Sequence, residues 1–484
     1  MKKVSKVTII ISLLIIGFSV AGIKVMHKRL TVVHTPVPTV INLNNKTKTK
    51  KEIHATYFPP GVSPSTKDIS LLLLQKEQIS KGGVIGTNGK GVVAIRFDDY
   101  QNIFGEKIFP LMVARGLPCS MSLISRFRTS QPWGNKTTWS EVRNWNRNGV
   151  EIWSHGTNHK NYTLKKFGSL YDEVVNSKKE IEAQNIKVVG FVLPGVAPIP
   201  GQAPLYNGLL KPSDYNSTAG KLLMQTYAIT EAYAYKSSTR ILPTYIYHGL
   251  NHYTVSDGLG SLANAESLIN IAIKNKTGIE LMCHPGSLGK PGHMTLSEFT
   301  TLLDYIKMKW DNNSIDVLTP SGLYFANPNI STRLKLTTDD SFEGLTVDKP
   351  GAWDTTTQWS GKTIETSGGR TGKNFLRINS RTTNSAVTQE IIHLGRLKVL
   401  GEQFVFEGWI RPYGMGSTTG MVKIKDSNNY KELRIVKGVV SKGSSWTRVR
   451  FVFCIPPNTK NITLSLYRSA GAGIDWDDVS IKKI

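Results

Sequence analysis

Residues 91–99 read Gly91-Val92-Val93-Ala94-Ile95-Arg96-Phe97-Asp98-Asp99. The run Val92–Phe97 is of strand length and apolar at all but one position, and it ends on two adjacent carboxylates. A strand without polar alternation is one covered on both faces, as in a parallel sheet flanked by helices. The same texture recurs at Pro118–Ile124, Val150–Trp153, Val188–Leu193, Ile279–Cys283 and Ile315–Leu318. Amphipathic stretches lie between these runs, at Glu106–Arg115, Ser140–Asn148, Leu170–Asn185, Leu262–Asn275 and Leu296–Trp310. Thr295 and Glu298 form a capping-box pattern at the start of the last. Strands alternating with helices over residues 84–328 predict an α/β domain.

Polar residues follow the strand ends. Asp98-Asp99 closes the first run, His155 and His159 come just after Val150–Trp153, and His284 comes just after Ile279–Cys283. Parallel α/β barrels carry their chemistry at the carboxyl ends of strands. Taken singly, an Asp-Asp pair is commonly a turn, and a His before Pro is commonly structural. Two carboxylates and three histidines gathered at the ends of three strands form a constellation. Asp99, His155 and His159 offer one oxygen and two nitrogens to a divalent metal and leave room for water, the arrangement of catalytic zinc. Asp98 is placed to act as a general base, and His284 as a general acid. Base, acid and metal together suit hydrolysis of an amide or ester.

The motifs resemble a known family. Ile95-Arg96-Phe97-Asp98-Asp99 resembles the Thr-Phe-Asp-Asp-Gly signature of the polysaccharide deacetylases, the NodB-homology carbohydrate esterases. Ser154-His155-Gly156-Thr157-Asn158-His159 resembles their His-Ser/Thr-x-x-His motif. Leu281-Met282-Cys283-His284 resembles the motif of their acid histidine, and Ile315–Pro320 their closing strand. The resemblance implies a distorted (β/α) barrel and metal-dependent removal of acetyl groups from glycans. It assigns Asp98 as base, Asp99, His155 and His159 as ligands of a divalent metal (zinc, or alternatively cobalt), and His284 as acid. The chain departs from the pattern at three places. Tyr100 stands where the family has Gly, and Val192 stands where it has the Arg that orients the base. The motif that tethers the acid has no clear match in 205–260, where Asp214 and Asp257 are the candidates. Arg96 lies two residues before Asp98, on the same face of a strand. It is expected to supply the missing positive partner.

After Pro328 the helical period stops. Short stretches at Phe375–Ile378, Gln403–Ile410, Met421–Ile424, Leu433–Val436, Thr447–Phe453 and Ile462–Tyr467 read as strands separated by Gly, Ser and Asn. They predict a β-sandwich over 332–484. Gly473–Ile481 resembles the closing strand of jelly-roll carbohydrate-binding modules. That resemblance implies a structural calcium, with Glu343 and Asp477 at the ligand positions. Trp353, Trp359, Trp409 and Tyr413 are candidates for a sugar platform, with Trp409 expected in the core. The Tyr-rich stretch 205–255 is expected to be mostly packing, and His248, His252 and His293 to be non-ligands.

At the other end, Lys2, Lys3 and Lys6 precede an apolar run, Val7–Ile23. Residues 1–26 therefore read as a signal anchor spanning the membrane, with a cleaved signal peptide as the alternative. Residues 27–83, rich in Pro, Thr and Lys, read as linker and lead-in. Either reading sends the chain out of the cytoplasm. Sixty Lys and Arg against 35 Asp and Glu give a net charge of +25, which fits acidic partners. No helix-turn-helix, zinc finger or RNA-binding signature accompanies that charge, so nucleic acid is not expected. Three cysteines without a CxxC exclude a disulfide framework and a Cys-based zinc knuckle. The resulting expectation is an extracytoplasmic hydrolase that removes acetyl groups, N-acetyl before O-acetyl, from an extracellular or cell-wall polysaccharide. The alternative is a glycan-binding protein that keeps the barrel with impaired catalysis.

Overall fold

The computed structural model describes residues 84–127, 137–159, 170–194, 211–235, 237–244, 246–256, 261–344, 353–354, 361–379, 386–391, 394, 403–440, 443 and 445–484. The N-terminal segment 1–26 and the lead-in 27–83 lie outside the described residues, as do Trp133, Gly195, Tyr206, Tyr245, Asp257 and Trp359. Among the described residues, no helix is long and apolar enough to cross a membrane.

The apolar runs become the centre of a ten-stranded sheet. Its strands are β2 (Gly91–Asp98), β3 (Cys119–Leu123), β4 (Val150–Ser154), β5 (Gly190–Val192), β6 (Ile229–Glu231), β7 (Thr239–Arg240), β8 (His248–Leu250), β9 (Tyr253–Thr254), β10 (Gly278–Cys283) and β11 (Ile315–Leu318). They follow the order β7-β10-β2-β3-β4-β5-β6-β8, with β11 on β2 and β9 on β10. Only the β7–β10 pairing is antiparallel. A separate parallel pair, β1 (Ile85–Gly86) with β12 (Ala326–Asn327), joins the two ends of this region. Every residue of β2, β3, β4, β10 and β11 is buried, as unbroken apolar strands require. Among the described residues, the outermost strands β7 and β8 do not pair with each other. The sheet curls into a barrel distorted by an open side.

Register brings the strand ends level. Cys283 pairs with Phe97, Asp98 with Ser122, and Leu123 with Ser154. The residues that follow β2, β4 and β10 therefore share one rim. The flanking helices include Trp139–Arg147, Leu262–Asn275 and Leu296–Asp311. Capping boxes open the first and last of these, Thr138 with Glu141 and Thr295 with Glu298. The expected helix over Glu106–Arg115 starts earlier, at Gln101, and passes through a π-turn at Phe104–Ile108. The expected helix over Leu170–Asn185 likewise contains a π-turn, at Asp172–Asn176.

The second body is antiparallel. It comprises β13 (Trp353–Asp354), β14 (Lys362–Glu365), β15 (Phe375–Ile378), β16 (Ala386–Ile391), β17 (Gln403–Asp426), β18 (Glu432–Val440), β19 (Thr447–Cys454) and β20 (Ile462–Lys483). Two stretches read as separate strands, Gln403–Ile410 and Met421–Ile424, are one bent strand, β17. The same holds for Ile462–Tyr467 and Gly473–Ile481 within β20. Their pairing skips register between Tyr413 and Thr418, next to Gly414, Gly416 and Gly471. Read as sequence, these glycines are breakers; in the fold they are bends. One half of β17 pairs with β19 and the other with β18, so the long strands serve both layers of a sandwich. Its core holds Trp353, Phe406, Ile424, Leu464, Trp476 and Ile481.

The sandwich packs on the end of the barrel opposite the polar rim. Gly116 and Gly149 precede β3 and β4, with φ of 62° and 91°. A Cβ on the first would meet the Arg450 backbone, and on the second the Val452 side chain. Both the left-handed backbone and the close approach call for glycine there. Val405, Val452 and Ile484 join the barrel's own apolar core. Arg448 and Arg450 reach Asp311 at 3.2 and 2.7 Å, and the Arg450 guanidinium lies 3.9 Å above the Trp310 ring.

A shared core predicts shared unfolding. Barrel and sandwich should melt in one calorimetric transition. Val452→Ala should destabilise that single transition by about 2 kcal/mol. Two separate transitions, with only one moved by the substitution, would contradict the shared core.

Candidate active site

The Asp-Asp and His-x-x-x-His motifs meet on the rim. Asp99 Oδ1 lies 3.6 Å from His155 Nε2 and 3.2 Å from His159 Nε2. The three ligand atoms lie within 4.8 Å of one another, the single such group of His, Cys, Asp or Glu found among the described residues. Neighbouring ligand atoms around tetrahedral zinc stand about 3.4 Å apart, given bonds of about 2.1 Å. Asp99 Oδ1 is buried and accepts no hydrogen bond among the described residues. A buried acceptor facing two imidazole nitrogens is one that a bound cation would satisfy. The donor set therefore fits a divalent metal.

The supporting atoms orient the ligands. His155 Nδ1 lies 2.8 Å from the Val192 carbonyl, which can only accept. Nδ1 therefore donates to that carbonyl, which fixes the ring with Nε2 facing Asp99. Glu173, fully buried, accepts from Thr157 Oγ1 at 3.0 Å and from the Asn158 amide at 3.1 Å, which pins the histidine loop. Burial, with His155 adding to it, lowers the His159 pKa to about 3, so the ring is neutral as a ligand must be. Burial also pushes the Asp99 carboxyl up, with Asp98 adding and the histidines opposing. Asp99 and Tyr100 hold φ of 60° and 47°, left-handed values that non-glycine residues rarely adopt. Tyr100, standing at a glycine position of the family signature, packs its ring on Gly286, and the Lys290 ammonium lies 5.3 Å from that ring.

Arg96 holds Asp98 from behind. Its Nε and Nη2 donate to the two Asp98 oxygens at 3.0 and 3.1 Å. Its Nη1 donates to Glu280 at 2.6 Å and to Glu231. Arg240 Nη2 closes the ring, donating to the other oxygens of Glu231 and Glu280 at 2.8 and 2.7 Å. Tyr324 Oη donates to Glu231 at 2.8 Å. The expected positive partner for Asp98 is therefore in place. Burial acts to raise the Asp98 carboxyl, but Arg96 holds it well below the usual carboxylate range.

The other expected residues fall as follows. His284 directly follows β10, whose Cys283 pairs with Phe97, so it stands level with Asp98; its amide donates to Ser256 Oγ at 3.0 Å. Asp214 lies in a short 3-10 turn, where its Oδ2 accepts from the Lys211 amide at 3.1 Å. His248 is buried against Thr230 and Tyr215, and His293 Nδ1 lies 2.6 Å from the Ser256 carbonyl. His252 is no member of the metal group, yet it sits 2.9 Å from Arg96. Glu173, Glu231, Arg240 and Glu280 were not singled out by sequence. The one available signal was a charged residue inside an otherwise apolar run, as at Glu280.

In the sandwich, Glu343 and Asp477 close on one loop. Glu343 Oε1 accepts from the Lys373 and Asn374 amides, both at 2.7 Å. Asp477 Oδ2 accepts from the Arg370 amide at 2.6 Å. Trp353 is core, 1% exposed. Trp409 corrects the expectation of a core residue. Its ring is only partly buried and lies between the guanidinium groups of Arg370 and Arg448, at 3.8 and 4.7 Å. Tyr413 is likewise covered by Arg377 at 3.6 Å.

Residues 85–196 match the family model described as polysaccharide deacetylase. No curated protein sequence matches the chain. Among solved structures, similarity is found to the CE4 domain of a multidomain xylanase from the hindgut metagenome of Trinervitermes trinervoides, at 15% identity and a TM-score of 0.31 over 50% of this chain and 96% of that one. A Clostridium thermocellum endo-1,4-β-D-xylanase, its CBM22-1–GH10 modules complexed with xylohexaose, matches at 21% identity and a TM-score of 0.24, over 31% of this chain and 28% of that one. The chain thus spans under a third of that xylanase structure. A carbohydrate-binding module, TmCBM61, in complex with β-1,4-galactotriose matches at 12% identity and a TM-score of 0.23, over 31% of this chain and 99% of that one.

Two substitutions separate the layers of the site. His155→Ala should abolish stoichiometric zinc binding in a calorimetric titration with little change in the fold. Arg96→Met leaves the buried Asp98 without its arginine and Glu231 and Glu280 on Arg240 alone, and should cost about 3–5 kcal/mol in chemical denaturation. Unchanged stability in Arg96→Met would contradict the buried network.

Proposed function

We propose that this chain, whose residues 85–196 form a polysaccharide deacetylase domain, is a metal-dependent hydrolase that removes N-acetyl groups from an extracellular or cell-wall polysaccharide. The observation that carries this is the convergence of Asp99, His155 and His159 beside an Asp98 clamped by Arg96. Asp99, His155 and His159 would hold the ion, with zinc the best fit to two imidazoles and one carboxylate. When bound, the ion supplies a Lewis acid at its remaining positions.

The protein groups account for the proton traffic. Asp98 stays ionised at neutral pH and takes a proton from the water that attacks the acetyl carbon. His284, level with it on the neighbouring strand, gives a proton to the departing amine nitrogen. The C–N bond breaks, the water oxygen ends in acetate, and the sugar keeps a free amine. Arg96 keeps the Asp98 carboxylate from rotating away. The sandwich supports a glycan partner through the resemblance of its closing strand to carbohydrate-binding modules. The apolar run Val7–Ile23 behind three lysines supports export and anchoring at the membrane. Glu343 and Asp477 are the proposed oxygen ligands of a structural calcium.

Acetate release from N-acetylglucosamine polymers tests the reaction. It should require added zinc or cobalt, stop after chelation and fall about 10²–10⁴-fold in Asp98→Asn. A metal-loaded, folded protein that releases no acetate from any polymer would instead be a glycan-binding protein. The calcium has its own test. Burial, with Asp478 adding to it, pushes Asp477 up to about 6. A folded value above the unfolded one means that the ionised carboxyl costs stability above about pH 6, and that this cost fades as the pH falls towards about 4. Calcium should remove the cost. The melting temperature at pH 7.5 is expected to rise with calcium, and not to rise in Asp477→Asn.

A further inference from the structure

The clamp on Asp98 continues beyond Arg96. The second nitrogen of its fork, Nη2, also lies 2.9 Å from His252 Nδ1. On the far side of the same ring, His252 Nε2 lies 3.1 Å from Tyr233 Oη. A guanidinium can only donate, so His252 Nδ1 must accept. The ring is neutral, its pKa lowered to about 3 by burial and then by Arg96. A neutral imidazole that accepts at Nδ1 carries its proton on Nε2 and must donate there. Tyr233 Oη therefore accepts from His252, and its own proton is directed away from the ring. The two rings meet edge-on, with centroids 5.0 Å apart.

The ends of this chain differ. His252 is 7% exposed and Arg96 is fully buried, whereas Tyr233 is 38% exposed. Tyr233 follows the carboxyl end of β6, and His252 follows that of β8. Both stand on the rim that carries Asp98, Asp99 and His155. A half-exposed phenol whose hydroxyl is fixed by a buried, charge-assisted chain is a pre-oriented donor at the mouth of a site. Had packing been its only role, an apolar ring would have served and the buried imidazole would not have been needed.

We propose that Tyr233 is a substrate-binding residue whose phenolic O–H donates to a hydroxyl or carbonyl oxygen of the sugar bound over Asp98, and that His252 is the positioning residue that fixes it. This rests on the glycan reading of the site, and it adds a residue outside the motifs shared with the deacetylase family. The same arginine orients the base and, through His252, the sugar contact. Substrate position and base position are thereby referred to one buried group.

The zinc-loaded full-length protein tests this with an N-acetylglucosamine oligosaccharide, by acetate release and by calorimetric binding. Tyr233→Phe, which removes only the hydroxyl, should raise KM and weaken oligosaccharide binding by about tenfold, the loss of one hydrogen bond, with a smaller change in kcat. His252→Gln should show the same binding defect. The double variant should be no worse than either single one, because the two residues act in series. Zinc affinity and melting temperature of Tyr233→Phe should match the wild type, so that the loss is one of sugar binding and not of folding or metal loading. Unchanged KM and binding in Tyr233→Phe would overturn the proposal while leaving the deacetylase reading intact. Binding without acetate release in the wild type, weakened in Tyr233→Phe, would overturn the deacetylase reading and keep Tyr233 as a sugar contact. Neither binding nor release in the wild type would overturn both.

Discussion

Arg96 is the group on which the interior of this barrel depends. A guanidinium with no solvent contact is tolerable only when its donors and its charge are met. Asp98, Glu231 and Glu280 meet them, and Arg240 returns the balance for the two glutamates. These groups come from β2, β6, β7 and β10, so the polar cluster also fastens strands that lie far apart in sequence. A planar, always-charged fork suits this better than an ammonium would, since two of its edges must face carboxylates at once. Such a cluster is weak evidence for added stability, because desolvation offsets much of the attraction. Its clear effect is geometric. It leaves Asp98 one orientation, facing the rim.

The rim shows how strain and burial serve a reaction. Asp99 and Tyr100 occupy left-handed backbone just past the end of β2. That conformation turns two consecutive carboxylates in different directions, one onto Arg96 and one towards the histidines. Burial then separates their roles. Asp98 has Arg96 against it and stays ionised; among the described residues Asp99 faces His155 and His159 instead, where the donor set fits a divalent metal. The opposite end of the barrel does the mechanical work. There Gly116 and Gly149 let the sandwich backbone approach, and Val452 and Ile484 complete the barrel's core. The sandwich is therefore part of the barrel's foundation rather than a module on a tether.

The sequence alone determined the parts governed by local chemistry. Largely apolar runs marked β2, β3, β4, β10 and β11, because a strand buried on both faces admits a polar residue only where a buried partner meets it. Asp98, Asp99, His155, His159 and His284 were legible because chemistry at a strand's carboxyl end leaves polar residues right after an apolar run. Arg96 was legible from its spacing of two before Asp98. Only the tertiary structure decided the rest. Strands β6 and β8 have three residues each, too short for a periodic signal. Glu231, Glu280 and His252 acquire meaning only by meeting Arg96 from 135, 184 and 156 residues away, and Arg240 only by bonding the same two glutamates. The Val192 carbonyl that orients His155 leaves no trace in side-chain identity. Trp409 faced outward because two arginines could cover it, and Gly414, Gly416 and Gly471 became bends because two layers had to share one strand. Each of these depends on which distant groups meet, and a buried charge finds its partners through space rather than along the chain.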